Sequence, residues 1–522
     1  MAFSRRAFLR SSAALVARST SAQRFWFAND SASDDLCRKL ASDPLRPQYH
    51  LLPAHNWMND PNGPIFYRGR YHMFFQYNPQ AAVWGNMHWA HATSPDMLHW
   101  RHEPLALSPT RGGPDQDGVF SGSAVLNHGT PTIIYTGVAP PRSAGDATLR
   151  DGAHTWHESQ CLAVAQDENL HTWKKRPDPV IETPPAGLEV TGFRDPMMWR
   201  EGDNWMLALG SGIHGKGGAI LLYSSPDLLH WTYLHPLLEG PSSGRDAINP
   251  VDTGNMWECP DFFPLGNKHV LLVSTMGKVR WQVGTYANQH FTPEKEGVVD
   301  WGSYYAAKSM IDRDGNRILW GWIPETRSDA QLVAAGWAGA MSLPRVMSLN
   351  ASGELQTEAS PILRSLRTNH ARISPDQSAP TREKVLHQLR LRDLCAELEL
   401  ELRPRDDEFG LRFQSDEGDF LAISSSNQGG SRQLQVNSVA APLPGSPGSP
   451  VHLHVFLDGS VVELFGNRTA AITARVYGKA SGPLRLKLEG AEPISLHRWQ
   501  IQPITGDRLT GSLCSVSCAN LF

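Results

Sequence analysis

The chain is poor in cysteine, with six in 522 residues, too few for a disulfide scaffold. Cys37, Cys161, Cys259 and Cys395 are scattered. Cys514 and Cys518 lie four apart in a polar tail, where they could pair or stay free. As a metal site they lack two further ligands. An excess of one charge is missing too: 48 Lys plus Arg against 52 Asp plus Glu leaves a net charge of −4. No basic field exists to hold a phosphate backbone, which argues against nucleic-acid binding. No apolar run reaches the 18 or so residues that a membrane-spanning helix needs. What the chain does have is turn residues and aromatics: 45 Gly, 38 Pro and 17 Trp. With 40% apolar and 19% charged residues, this is a folded composition of many short strands and turns. At roughly 150 residues per domain, the length allows about three domains, or fewer if one is a propeller or barrel.

The N-terminus carries Ser4-Arg5-Arg6-Ala7-Phe8-Leu9-Arg10, then the short apolar stretch Ala13–Ala17 and a small-residue site at Thr20-Ser21-Ala22. This resembles a twin-arginine export signal, although the apolar stretch is shorter than usual. Residues 1–45 are therefore expected as a tail that directs export to the periplasm or beyond. A non-functional signal would leave the protein in the cytoplasm.

From residue 46 to 350, short β-branched and aromatic runs alternate with turns, as in Tyr71–Phe75, Pro131–Tyr135 and His269–Val273, each the length of a strand. A unit recurs: Ser94-Pro95-Asp96-Met97-Leu98-His99-Trp100, then Asp167-Glu168-Asn169-Leu170-His171-Thr172-Trp173, then Ser225-Pro226-Asp227-Leu228-Leu229-His230-Trp231. A repeat of this period predicts propeller blades, and some 300 residues at about 60 per blade give five. Residues 351–385 are polar and turn-rich and are expected as a linker with one short helix. Period-two strands resume in 386–506, as in Ala396–Leu402 and Val451–Leu457, with Asp458-Gly459 turning into Ser460–Phe465; this predicts a β-sandwich. Residues 507–522 are expected as a tail. The fold class is thus all-β.

Three acidic residues sit among Trp, Gly and Pro rather than on charged faces: Asp60 in Asn59-Asp60-Pro61-Asn62-Gly63, Asp195 in Phe193-Arg194-Asp195-Pro196, and Glu258 in Trp257-Glu258-Cys259-Pro260-Asp261. The first two segments taken alone read as turns. A Glu in an aromatic run is costly to bury without work or a partner. In successive blades the three can converge on one axis. A retaining glycosidase needs two carboxyl groups about 5–5.5 Å apart. One is ionised and attacks; the other is kept protonated by an apolar setting.

The chain resembles glycoside hydrolase family 32, the invertase, inulinase and fructan exohydrolase family. The motifs that carry the resemblance are Trp57–Gly63, Phe120-Ser121-Gly122-Ser123-Ala124, Phe193–Pro196 and Trp257–Asp261, in family order. Gln76–Pro79, Trp84–Trp89, Ser303–Ala306, Trp320–Trp322 and Leu457–Glu463 add weaker likeness. The resemblance implies a five-bladed β-propeller followed by a β-sandwich. It implies Asp60 as nucleophile, Glu258 as acid/base and Asp195 as transition-state stabiliser. Asn59, Gln76, Trp84, Phe120, Ser121 and Arg194 would line a fructose pocket, with Asp300 and Trp322 as further candidates. Glu463 and Phe465 are expected to be structural. No cofactor or metal is implied; His88 and His91 are three apart in a strand-like segment. The partner is a small carbohydrate, sucrose or a short fructan. In sucrose-preferring plant relatives a loop after the acid/base strand is acidic. Ser274–Lys278 has no carboxylate, which leaves short fructans open. The oligomeric state is not legible. A fructosyltransferase would use the same three residues. A non-catalytic fructan binder is expected to lose one of them.

Overall fold

The computed structural model describes residues 30–143, 149–150, 155–240, 247–249, 252–253, 256–391, 393–428, 431–446, 448–478 and 482–510. The twin-arginine stretch, Cys514 and Cys518 lie outside the described residues. Cys37 is disulfide-bonded, while Cys161, Cys259 and Cys395 are free thiols.

Five antiparallel sheets form the propeller. Their inner strands are Asn56–Tyr67, Gly118–Asn127, Val190–Glu201, Glu258–Leu265 and Tyr305–Ile311. Each inner strand contacts the next, and the fifth contacts the first, so the ring closes. Trp337–Ala338 adds a parallel strand beside Asn56-Trp57 and ties the last blade to the first. Tight hairpins join successive strands. Arg68-Gly69, His128-Gly129 and Met276-Gly277 each have two residues in a row at positive φ, the turn that matches strand twist.

The Leu-His-Trp repeat is the turn between the third and fourth strands of blades one to three. Met97, Leu170 and Leu228 all have positive φ there, which is unfavourable for such side chains. The Asp of each unit offsets this cost. Asp96 accepts from the N–H groups of Leu98 and His99, and Asp227 from those of Leu229 and His230. Asp167 accepts from Asn169 and His171. Blade four replaces this unit with the tight Asn288-Gln289 turn, so the repeat marks only three blades.

The structure differs from expectation over 351–385. Leu355–Ala359 is the last strand of the fifth blade, and Arg367–Ile373 is the edge strand of a sandwich sheet, paired with Ala491–Ile501. The short helix expected in this segment is Ala379–Gln388. The edge strand Arg-Thr-Asn-His-Ala-Arg-Ile buries one end only, so its sequence shows no alternation to read. Residues 30–45 also carry structure: Asp30–Ser42 is a helix, and Leu40 packs with Trp337, Val461 and Leu509.

The sandwich has two six-stranded sheets around Leu398, Leu400, Leu411, Phe413, Leu453, Val455, Leu464 and Ile472. One sheet turns its outer face, including Phe456 and Phe465, onto Tyr49, Met73 and Trp320 of the propeller side. A buried charge network crosses this junction. His50 lies between Asp458 at 2.7 Å and Glu463 at 3.1 Å, so both ring nitrogens face carboxylates. Arg345 pairs with Glu463 and with Asp300, the latter at 2.9 Å. Such a set is tolerable in the interior only when every member is paired.

Candidate active site

All five inner strands break register at the same depth: between Met58 and Pro61, Val119 and Gly122, Arg194 and Met197, Glu258 and Asp261, and Tyr305 and Lys308. A bulge re-aims side chains and is common beside active sites. Here the bulges deliver Asn59-Asp60, Phe120-Ser121, Asp195, Cys259 and Ala306 to the axis. Asp195, Cys259 and Ala306 hold positive φ (64°, 48° and 54°). Neighbouring blades hold two of these N–H groups, Asp195 on Thr136 Oγ1 at 2.9 Å and Ala306 on Ser274 Oγ at 3.0 Å.

Asp60 is partly exposed. Its carboxylate accepts from the Asn59 amide at 3.0 Å and from the Ser121 hydroxyl at 2.7 Å. Asn59 is itself fixed by the Trp57 indole N–H, 2.7 Å away. The buried Cys259 thiol lies 3.5 Å from Asp60 Oδ2 and 3.4 Å from Asp195 Oδ2, so the two carboxylates flank one sulfur atom. The Cys259 N–H donates to the same Asp195 oxygen at 3.0 Å. Burial, and secondarily the nearby Asp60, push the Asp195 carboxyl above its usual range, against the pull of Arg194 and Lys308.

Glu258 is buried. Its Oε1 accepts from Arg194 Nε at 3.1 Å and Nη2 at 2.8 Å, and its Oε2 from the Tyr305 hydroxyl at 2.7 Å. A bidentate arginine ordinarily keeps a carboxylate ionised. Here burial wins, and the Glu258 carboxyl is pushed up to about 8. The reason is that Arg194 is shared. Its Nη1 donates to the buried Glu158 at 2.8 Å, and its charge also acts on Asp195. One cation serves three carboxyl groups, so at neutral pH Glu258 is mostly protonated.

Trp57, Phe120, Tyr305 and Trp322 form an aromatic wall with Met87 and Cys259, and Trp84 and Trp156 pack on it, partly exposed. Trp84 meets Phe120 edge-on at 6.1 Å between ring centroids. Gln76 is buried beside the site; its amide donates to Val119 O at 2.9 Å and supports the strand leading to Ser121. The structure thus brings together Asp60, Asp195, Glu258, Asn59, Gln76, Trp84, Phe120, Ser121, Arg194 and Trp322.

Asp300 is a correction. It is fully buried at the propeller–sandwich junction, where it accepts from the Thr473 N–H (2.8 Å), the Thr473 hydroxyl (2.7 Å) and the Gly302 N–H (2.8 Å). With Arg345 Nη1 2.9 Å from its Oδ2, it is a structural clamp rather than a sugar ligand. Sequence reasoning missed Tyr305, Glu158 and Thr136. Glu158 stands in the polar run Trp156-His157-Glu158-Ser159-Gln160 and lacks the aromatic setting that singled out Glu258.

The model of the glycosyl hydrolases family 32 N-terminal domain matches residues 50–359. That of the family 32 C-terminal domain matches residues 363–500. A sucrose-6-phosphate hydrolase of Escherichia coli is 36% identical over 466 residues, covering 83% of this chain and 89% of its own length. An insoluble β-fructofuranosidase isoenzyme of Arabidopsis thaliana is 30% identical, covering 84% of this chain and 86% of its own. A variant of fructan 1-exohydrolase IIa from Cichorium intybus, solved in complex with 1-kestose, superposes with a TM-score of 0.73 at 26% identity, over 88% of this chain and 98% of its own. The chain belongs to glycosyl hydrolase family 32 and is a glycoside hydrolase of the β-fructofuranosidase type.

Proposed function

We propose that this protein releases terminal β-D-fructofuranosyl units from sucrose and short fructans, with retention of configuration, by double displacement. The observation that carries the reading is the division of labour among carboxyl groups: Asp60 in a polar, partly open setting, and Glu258 buried and held near 8.

In the first step an Asp60 oxygen attacks C2 of the fructosyl unit. The C2–O bond to the leaving sugar breaks, and Glu258 gives its proton to that oxygen. A fructosyl ester of Asp60 remains. Glu258 is now an anion, and the N–H groups of Arg194 and the Tyr305 hydroxyl already point at it. In the second step Glu258 takes a proton from water, the oxygen attacks C2, and Asp60 leaves with its electron pair. Asp195 binds fructose hydroxyls and offsets the positive charge that develops on the ring. The Trp84, Phe120 and Trp156 faces line the approach. The small-carbohydrate substrate agrees with the 1-kestose complex of the chicory relative.

The protein is proposed to be exported. Its N-terminal segment resembles a twin-arginine signal, and the Cys37 disulfide suits an oxidising compartment.

The test is sugar release from sucrose, sucrose 6-phosphate, 1-kestose, inulin and levan, followed by chromatography. Free fructose is the expected product. Longer oligosaccharides at high sucrose would replace hydrolysis with transfer. With methanol as acceptor, the β methyl fructoside is expected, and the α anomer would overturn double displacement.

A further inference from the structure

Lys308 lies on the inner strand of the fifth blade, three residues after Tyr305, and is only 2% exposed. Lysine is almost never buried unless it is paired. Its ammonium donates to Pro260 O at 2.7 Å. Pro260 is the second residue of the fourth blade's bulge. The first is Cys259, at positive φ, whose N–H and thiol both meet Asp195 Oδ2. The ammonium therefore grips the far side of the same turn whose near side holds Asp195.

The charges around it explain why a cation is needed there. With Glu258 protonated, Asp60, Asp195 and Glu158 are three anions against the single cation Arg194, and Arg194 binds Glu158 and Glu258 directly. No guanidinium hydrogen bond to Asp195 is present among the described residues. The charged groups facing Lys308 are Asp195 on the third blade and Asp261 on the fourth, with the Cys259 thiol between. The ammonium pulls all three down. Asp261 is further bound by the Ser309 N–H at 2.9 Å and faces Arg317.

We propose that Lys308 is a positioning residue for the hydrolysis, anchoring the Cys259–Pro260 turn and supplying the cation beneath Asp195. This rests on the double-displacement reading above. Lys308 touches no reacting atom; it acts through Asp195.

The test uses the full chain and sucrose, with kcat/KM measured from about pH 4 to 9 for wild type, Lys308→Met, Asp195→Asn and the double variant. Lys308→Met is expected to lower kcat/KM by about 10- to 100-fold and to move the acid limb up by about one pH unit. In the Asp195→Asn background it is expected to change the rate by less than about twofold, because the group it acts through is gone. An unmoved acid limb, or rate losses that multiply in the double variant, overturns the proposal. If Lys308→Met does not fold by circular dichroism, Asp261→Asn carries the test. Removing that competing anion moves the acid limb down, and no movement overturns the proposal. Wild type that releases no fructose refutes the hydrolase reading itself, a result distinct from either.

Discussion

Replacing Glu158 by Gln tests the electrostatic account of the acid/base group without touching a reacting atom. Glu158 is fully buried and takes half of the Arg194 guanidinium. It also accepts from the Phe193 N–H at 2.6 Å, and a Gln carbonyl keeps that bond. The substitution removes one buried negative charge and leaves Arg194 free to serve Glu258. Both effects favour the ionised form of Glu258. With the two carboxyl groups on opposite sides of one guanidinium, about 6 Å apart, and an effective dielectric of about 20, the lost repulsion is about 3 kcal/mol at most. That bounds the change at about two pH units. Wild-type activity is expected to fall as pH rises through about 8, where Glu258 loses its proton. In Glu158→Gln this basic limb is expected one to two units lower. The assay is kcat/KM for sucrose against pH, with a thermal melt to show that the variant is folded. A basic limb in the wild-type position in a folded variant would refute the shared-arginine argument.

The remaining predictions concern stability. Burial pushes His72 down to about 4 and His102 down to about 3, and His91 falls well below the ordinary value. The fold favours the neutral rings, so the unfolded chain binds more protons below about pH 6.5. Stability is then lost as pH falls from 6.5 toward 4, by about 3 kcal/mol at His72 alone. The urea midpoint is expected to drop between about pH 6.5 and 5, before most carboxylates titrate; a level midpoint contradicts this. Arg345→Ala leaves Asp300 and Glu463 buried without their cation. It is expected to cost about 3–5 kcal/mol and to separate propeller and sandwich melting in calorimetry. An unchanged single transition would show that the network does not join the domains.

The parts of the fold legible in the sequence were those with local causes. Alternation showed strands such as Ala396–Leu402, and the Asp-capped turns showed a repeat because each must hold a left-handed residue locally. The fourth and fifth blades turn differently, so their kinship is visible only in the shared bulge depth. Edge strands such as Arg367–Ile373 have one buried end and no period. At the site, Asp60, Asp195 and Glu258 stood out because carboxylates in aromatic and proline-rich segments need a reason. Asp300, a candidate by family resemblance alone, is a clamp at the junction, because a resemblance in sequence does not show which partner a buried charge has. Tyr305 and Lys308 were missed because their partners, Glu258 and Pro260, lie 47 and 48 residues away on another blade.

The most direct test of the central claim is fructose release from sucrose by wild type and by Asp60→Asn, measured side by side on folded protein. Among the described residues the Asp60 carboxylate meets only Asn59, Ser121 and Cys259, so the variant is expected to melt like wild type. Wild type is expected to release fructose and glucose in equal amounts, and the variant to be slower by several orders of magnitude. A folded Asp60→Asn protein working at a rate near that of wild type would contradict the assignment of the nucleophile and the mechanism built on it.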